Sequence, residues 1–467
     1  MNNQNSPDIN RIEESNEIKN ENIQRKKFIN KNCIIKMIIS LVIIIVITIF
    51  IIFFLIRRQE TSSVKEKEFS ENEIKIAKYN TVIKLNTIQF PSLKGNNIYK
   101  EEHLNSYFNF SYNFFFNLNY KDYSPVSLYN VLINVFMAIS DKDMLELLDD
   151  ILGLNNDERI LFYSQIFNNN YFKNSEGEIK ISNGAFYNSD KVAENVSYID
   201  QISKTYTECY KLSYKKEFNF IIEWINKSLK EEKNNFMSNL ENIENTAILF
   251  LSSLYFKQKW ATKFLDSNSY KDNFYIDNNN KKEVIFMKHS YQVNDYYDYE
   301  RYVSFYDIYS NNYLIQYIVP KSLNDSILEL INNKNFLYED EHNKINETSI
   351  YISLSVPKFK INNEIDFVPI LKNMGFGKLF DGNFSTLNKP FINENNYNYY
   401  LDKITQKNLI ELNEDGTTIK SYTYSSAMLK SAGPSLGGLE IKLNQPFIYI
   451  IRDKYKLPIF IGYVKEP

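Results

Sequence analysis

The order of apolar and polar residues divides the chain of 467 residues into four segments. Residues 1–36 are polar, rich in Asn and without periodicity, which predicts a disordered tail. Residues 37–56 are an uncharged apolar run that is long enough, as a helix, to cross a bilayer. Residues 57–97 are charged and poor in apolar residues, as in a stalk, with a short possible strand near Val82–Leu85. Residues 98–467 have the mixed composition of one large domain.

The apolar run predicts an uncleaved membrane anchor rather than a secretory signal peptide. The polar lead of 36 residues is too long for a signal peptide, and no small-x-small cleavage site precedes Arg57. Five Lys or Arg residues flank the run on its N-terminal side and four on the other. The positive-inside rule therefore only leans towards a cytoplasmic N-terminus.

Within residues 98–467, helical and strand periodicities follow each other irregularly. SPVSLYNVLINVFMAI opens with a Ser-Pro cap and predicts a buried helix; DMLELLDDILGL, closed by Gly153, and EFNFIIEWINKSLKEE predict amphipathic helices. TAILFLSSLYFKQKW predicts a strand in the middle of a sheet, and SIYISLSVPKFKI, LNQPFIYIIRD and LPIFIGYV predict further strands. Because βαβ alternation is absent, the predicted class is α+β with large, mostly antiparallel sheets.

Composition excludes several classes of function. The 54 basic and 57 acidic residues form no dense basic run, which argues against a nucleic-acid partner. Cys33 lies beside the apolar run and Cys209 lies far along the chain, so the sequence predicts no disulfide framework. His103, His289 and His342 have no Cys or His at metal-ligand spacing, and no P-loop, G-x-G-x-x-G or G-x-S-x-G motif occurs. The sequence therefore predicts no metal site, no cofactor and no enzyme.

Residues 411–433, ELNEDGTTIKSYTYSSAMLKSAG, have the alternation of a strand after a turn-like start, but no hairpin partner. One face is small or β-branched and uncharged: Thr417, Ile419, Ser421, Thr423, Ser425 and Ala427. The other face carries the bulk and the charge: Thr418, Lys420, Tyr422, Tyr424 and Met428. Such a segment could enter a preformed sheet with its small face towards the core.

Six segments, in order along residues 98–467, together resemble the serpin family of large serine-protease inhibitors. Ser124-Pro125-Val126-Ser127 is similar to the SPxS helix start of that family, NGAFY at residues 183–187 to one of its strands, and LFLSSLYFKQKW to LVNAIYFKGxW. VPKFKI with ILKNMGFGKLF resembles its PKF segment. LNQPFIYIIRDKYKLPIFIGYVKEP resembles its C-terminal signature, and its hinge motif E-E/D-G-T is matched by Glu414, Asp415, Gly416 and Thr417.

The resemblance implies a serpin fold, with three β-sheets, eight to nine helices and an exposed reactive loop near the C-terminus. It also implies a partner, a target serine protease that cleaves the loop and stays attached as a covalent acyl complex. The loop then inserts into the main sheet as a new central strand. About a dozen new ladder hydrogen bonds, at roughly 0.5–1.5 kcal/mol each, would release on the order of 10 kcal/mol. The uncleaved form can therefore be kinetically trapped.

The residues after the hinge leave two functions open. Inhibitory serpins usually carry a run of small residues there, whereas this chain has Thr418-Ile419-Lys420-Ser421-Tyr422. The bulk falls on outward positions, which favours inhibition. Bulk can also slow insertion, and the alternative is a non-inhibitory serpin that acts as a membrane-tethered binding or chaperone module.

In the family the cleaved bond lies sixteen residues after the hinge Glu, which here corresponds to Lys430-Ser431. A Lys before the bond suits a protease whose specificity pocket holds an Asp, so a trypsin-like or subtilisin-like target is predicted. Leu429 or Met428 is an alternative site, and the long segment that follows leaves room for a downstream shift.

The resemblance also implies two regions that control the opening of the main sheet. The shutter, a polar cluster beneath the sheet, would consist of Ser124, Ser127, Ser252 and Gln406. Because Gln406 replaces a titratable His of the family, insertion is expected to depend less on pH here. Trp260 resembles the Trp of the breach, the top of the sheet where insertion starts. The helix that binds heparin in some serpins holds only Arg159 and Lys173 here, so no glycosaminoglycan site is indicated.

Serpins that meet secreted proteases face the lumen or the exterior. The predicted topology is therefore single-pass type II, with the domain extracellular or lumenal. N-glycosylation would then be possible at the N-x-S/T sequons, which lie at Asn109, Asn195, Asn226, Asn324, Asn346 and Asn383.

Overall fold

The structure, a computed structural model, describes residues 76–88, 98–230, 243–330, 337, 343–345, 350–392, 398–419 and 439–467. All of them belong to one compact unit that spans residues 76–467. The predicted tail and membrane anchor lie outside the described residues. Among the residues that are described, no helix is both long and apolar enough to cross a membrane.

The described residues contain nine α-helices: α1 Glu101–Asn117, α2 Pro125–Ala138, α3 Lys142–Leu152, α4 Asn156–Asn170, α5 Val196–Ser203, α6 Tyr214–Glu217, α7 Asn219–Leu229, α8 Ile327–Leu330 and α9 Val368–Asn373. The predicted Ser-Pro helix start is confirmed, because the side chain of Ser124 caps α2 and Pro125 is its first residue. Gly153 ends α3 with φ +58, as the amphipathic pattern predicts.

The same part of the chain contains nineteen strands: β1 Ile83–Lys84, β2 Phe172–Lys173, β3 Gly177–Asn188, β4 Ala193–Glu194, β5 Thr207–Leu212, β6 Ile248–Lys259, β7 Tyr270–Tyr275, β8 Lys281–Val293, β9 Tyr296–Asp298, β10 Tyr302–Ile308, β11 Leu314–Pro320, β12 Ile350–Pro357, β13 Phe359–Asp366, β14 Phe391–Ile392, β15 Thr405–Asn413, β16 Gly416–Ile419, β17 Leu439–Lys442, β18 Phe447–Arg452 and β19 Pro458–Val464. They form three large sheets and one two-stranded pair.

The main sheet has eight strands in the order β1-β5-β3-β6-β16-β15-β13, and β2 pairs with β3. Only β3 and β5 run parallel; the other pairs are antiparallel. The second sheet has the order β19-β18-β11-β10-β9, the third has β17-β12-β8-β7, and β14 pairs with β4. The predicted α+β class is confirmed, and so is the central position of TAILFLSSLYFKQKW, which forms β6.

Part of the predicted stalk belongs to the folded unit. Strand β1 pairs with β5 through Ile83 and Lys84. The backbone N–H groups of Asn80 and Thr81 donate to the carboxylate of Glu217, at 2.8 Å for Thr81. Residues 76–88 of the predicted stalk are therefore part of the described folded unit, and β1 lies where the sequence predicts a short strand.

Candidate functional site

Strand β16, the start of the segment without a hairpin partner, lies between β6 and β15. Gly416 is opposite Lys259 of β6 and Asn413 of β15, and Ile419 is opposite Phe256. In the described part of the chain, β6 and β15 pair with β16 and not with each other. The hinge is therefore already a short strand of the main sheet.

Gly416 is required by the close approach of two backbones. Its φ is +152, which side-chain-bearing residues rarely adopt. A Cβ atom built on it would lie 1.9 Å from the carbonyl oxygen of Gln258 in β6. Any other residue would push β16 away from β6.

Thr417 faces the core and Thr418 does not. Thr417 is 1% exposed, and its Oγ1 shares a hydrogen bond of 2.6 Å with the hydroxyl of Tyr309. Tyr309 in turn stacks on Trp260, with ring centroids 4.6 Å apart. The indole Nε1 of Trp260 donates to the carbonyl oxygen of Asn413, at 2.9 Å. Trp260 thus connects the top of β6 to the end of β15, on either side of the inserted hinge.

Within the hinge, the side chain of Glu414 is buried, whereas that of Asp415 points to solvent. Burial acts to raise the pKa of Glu414, but hydrogen bonds from Lys358 and Ser269 lower it overall. The Lys358 ammonium is 2.5 Å away and the Ser269 hydroxyl donates at 2.6 Å. The carboxylate of Asp415 forms an exposed ion pair with Lys263, at 3.0 Å. The two acidic residues of the motif therefore have different roles.

Replacing Glu414 with Gln is expected to lower the free energy of unfolding by about 1–3 kcal/mol at pH 7, because a buried charge-assisted pair is lost. Since the folded-state pKa is lowered, this contribution exists above the unfolded value of 4.5 and disappears as the pH falls below it. Urea unfolding at pH 7 and pH 3 measures both effects. Asp415→Asn is the matched control, and a loss from it as large as that from Glu414→Gln would contradict the assignment.

A gap continues below β16 between the same two strands. Residues 248–255 of β6 and 405–410 of β15 have no ladder partner on their facing sides among the described residues. A cavity of about 170 Å³ lies there, floored by the start of α2, and a second cavity of about 630 Å³ follows towards residues 401–404. This explains why the apolar residues 248–251, although central in the sheet, are only half-buried.

All four predicted shutter residues line the smaller cavity, but the structure brings only three of them together. The side-chain oxygen of Gln406 accepts from the backbone N–H of Ser124 at 2.8 Å, and its Nε2 donates to the Ser124 carbonyl at 3.1 Å. Ser124 in turn accepts from the N–H of Ser127. Ser252 lies on the other side of the gap, where it donates to Asn183 of β3 at 2.9 Å.

Comparison with known protein families identifies the family of the chain. A family model described as "Serpin (serine protease inhibitor)" matches residues 105–467. The chain belongs to the serpin family. Serpins are in general protease inhibitors rather than enzymes.

Three curated relatives of the chain are all distant in sequence. The chain is 28% identical over 245 residues to an uncharacterised serpin-like protein of Acanthamoeba polyphaga mimivirus, covering 50% of this chain and 59% of that protein. It is 24% identical over 288 residues to serine proteinase inhibitor 1 of monkeypox virus, covering 59% and 76%. It is 26% identical over 317 residues to plasminogen activator inhibitor 1 of Sus scrofa, an alignment that covers 63% of this chain and 73% of that protein. The chain thus spans less than two thirds of the first of these relatives and about three quarters of the other two.

Solved structures of serpins share the fold. The native state of the thermophilic serpin tengpin matches with a TM-score of 0.69 and 20% identity, covering 83% of this chain and all of that one. Human thyroxine-binding globulin matches with a TM-score of 0.64 and 19% identity, covering 78% and 98%. At these identities the likeness establishes the serpin fold, which the resemblance implies, and no more.

Asp122, which the sequence reading missed, changes the picture of the serpin shutter. Its backbone carbonyl accepts from Asn363 of β13 and Asn408 of β15, both at 2.9 Å. Burial raises the pKa of its carboxyl to about 7, against the hydrogen bond from the Tyr449 hydroxyl at 2.8 Å. The expectation of weak pH dependence rested on Gln406 having replaced the titratable group. A carboxyl whose pKa burial raises to about 7 lies two residues before Ser124, and the weak pH dependence of insertion stays a prediction.

Several predicted positions lie outside the described residues. These are the inserting positions Ser421, Thr423, Ser425 and Ala427 and the reactive bond Lys430-Ser431. Of Ile419, only the backbone pairing within β16 is described. Arg159 is fully buried and forms an ion pair with Asp149, so its charge does not face solvent.

Proposed function

We propose that this serpin inhibits a trypsin-like serine protease by inserting its cleaved loop between β6 and β15. The observation that carries the proposal is the position of β16, whose four residues pair with both strands above a gap that continues along them. Because the first residues of the loop are already paired in the sheet, the register of the following residues is fixed. Each further residue extends the same two ladders.

The direction of the side chains supports the same proposal. Thr417 is buried, so strand alternation would turn Ser421, Thr423, Ser425 and Ala427 inwards as well. These residues are small, and they would face a cavity lined in part by Ser124 and Ser127. Lys420 and the two Tyr residues would face outwards, where neither charge nor volume is penalised.

The chemistry of the reaction follows from the loop. The protease serine attacks the carbonyl carbon of Lys430, the amide bond to Ser431 breaks, and the new amine leaves with the proton that the serine gave up. The acyl ester on Lys430 then travels with the inserting strand. Insertion along residues 248–255 of β6 and 405–410 of β15 forms new ladder hydrogen bonds. Their formation releases free energy on the order of 10 kcal/mol, which traps the complex.

A membrane tether is part of the proposal. Residues 37–56 would anchor the chain as a single-pass type II protein, with the serpin domain in the lumen or outside the cell. Among the described sequons, Asn324 and Asn383 are exposed, whereas Asn109, Asn195 and Asn226 are partly buried. The two exposed sites are therefore the better glycosylation candidates.

Mixing the full chain with trypsin is expected to give a covalent complex that survives a denaturing gel. The cleaved chain should melt about 20 °C higher, because a gain on the order of 10 kcal/mol is large for a domain of this size. Trypsin whose catalytic serine is blocked is the control and should form no complex. Complete cleavage with no complex and an unchanged melting temperature would show the non-inhibitory alternative instead.

A further inference from the structure

We propose that Glu102, His103 and Glu158 bind a divalent transition-metal ion, and that Zn²⁺ fits the site best. Glu102 and His103 belong to the first turn of α1, and Glu158 to the first turn of α4. One ligand atom from each of the three side chains lies within 4.8 Å of the others. The ligands come from segments far apart in sequence, so no local motif announces the site.

His103 is the observation that distinguishes this cluster from ordinary surface carboxylates. The side chain is 1% exposed, yet in the part of the chain that the structure describes neither ring nitrogen has a hydrogen-bond partner. Its Nε2 is 3.8 Å from Oε1 of Glu102, too far for a hydrogen bond. The rest of the ring packs edge-on against Phe162. A buried polar group without a partner is costly, and an ion is one of the few things that can satisfy it.

The protonation and hydrogen bonding of the ligands suit a cation. Burial, together with the charge of Lys100, lowers the pKa of His103 and so favours the neutral imidazole, the form that metals bind. Oε2 of Glu158 accepts from the backbone N–H of Asn155 at 3.2 Å, which orients this carboxylate. Glu102 pairs with Lys100 at 3.3 Å, but both side chains are more than half exposed, and such a pair is weak.

The donor set selects the metal. One imidazole nitrogen and two carboxylate oxygens are ligands that Zn²⁺ accepts, and three protein ligands leave a fourth position for water. Ca²⁺ and Mg²⁺ take oxygen ligands, usually six or more, and are disfavoured by the imidazole. Ligand atoms around tetrahedral Zn²⁺ lie about 3.4 Å apart, a closure that the exposed side chain of Glu102 can make by changing rotamer. The bound ion would join the starts of α1 and α4.

Titration of the metal-free full chain with ZnCl₂ at pH 7, followed by calorimetry, tests the proposal. The expected result is one equivalent of bound Zn²⁺ and a higher melting temperature when it is bound. His103→Gln and Glu158→Gln should each weaken binding at least tenfold. Gln at position 158 can keep the capping box of α4, so this variant removes a ligand and not the helix start. Glu146→Gln, in an exposed pair on α3, should bind as the parent does.

Substitution with Co²⁺ gives a second readout, because a tetrahedral site with nitrogen and oxygen ligands produces visible absorption bands. The parent and Glu146→Gln should show these bands, and Glu158→Gln should lose them. The proposal is overturned if the parent binds no Zn²⁺, or if Glu158→Gln binds Zn²⁺ with the parental affinity, since the metal would then lie elsewhere. Should His103→Gln fail to fold, Glu158→Gln alone decides between these results.

Discussion

Replacing Thr417 with Arg is expected to convert the proposed inhibitor into a substrate of its target protease. Thr417 is 1% exposed and hydrogen-bonded to Tyr309, so an Arg there would bury an unpaired charge at the first step of insertion. Insertion would then be slower than hydrolysis of the acyl ester. The number of inhibitor molecules consumed per protease inactivated should rise more than tenfold, and the cleaved variant should show no increase in melting temperature. Gel analysis and thermal scans of the cleaved chain measure both.

Thr418→Arg is the matched control for this prediction. It is the same change at the adjacent position, where the side chain points away from Tyr309 and is only half-buried. An Arg there can extend to solvent, so the stoichiometry of inhibition should stay within about twofold of the parent. If Arg at 417 and Arg at 418 have the same effect, the direction of the side chain does not control insertion. If neither variant matters, the proposed entry of β16 between β6 and β15 is wrong.

Replacing Asp122 with Asn is expected to stabilise the protein at pH 8 by about 4 kcal/mol and to change little near pH 4. The folded-state pKa of Asp122 is raised to about 7 from 3.8. A carboxyl with a raised pKa binds its proton more tightly in the folded state. Its stabilising contribution is therefore complete below pH 3.8, is lost as the pH rises to 7, and is absent above it. Asn is neutral like the protonated carboxyl, so the variant avoids the free-energy cost of ionising a buried carboxyl at high pH.

Urea unfolding of the parent and of Asp122→Asn between pH 4 and pH 8.5 measures this difference. The two free energies of unfolding should diverge from about pH 4 and run parallel above pH 7. Asp200→Asn, an exposed position on α5, is the control and should follow the parent throughout. A constant difference between Asp122→Asn and the parent across the whole range would mean that Asp122 does not titrate there. The same experiment tests whether the shutter region depends on pH despite Gln406.

Local sequence patterns were sufficient to predict a segment where residues close in sequence determine its structure. The Ser-Pro start of α2 follows from capping, the Gly that ends α3 from left-handed geometry, and the central strand β6 from an apolar run without a polar face. The two-residue alternation after Gly416 likewise distinguishes Thr417 from Thr418. The motifs in register along residues 98–467 then led to the family, which the match to residues 105–467 shows.

The residues that the sequence reading missed all act across long separations. Burial raises the pKa of Asp122, and its backbone carbonyl accepts hydrogen bonds from Asn residues more than 240 positions away. Gln406 and Asn408, two apart on β15, give a period-two polar signal that could have pointed to this cluster. Nothing local indicates that His103 lies against Glu158, or that β1 joins the main sheet.

The sequence by itself determined the class of fold, the family, the position of the hinge and the direction of alternation along the loop. These properties depend on residue type and on spacing over a few positions, which chain order preserves. Only the tertiary structure decided that β16 separates β6 from β15, that Asp122 is buried and bound by two Asn side chains, and that His103 lies near two carboxylates. Burial, the pKa of a carboxyl and ligand geometry are set by neighbours in space, and the folded chain alone chooses those neighbours.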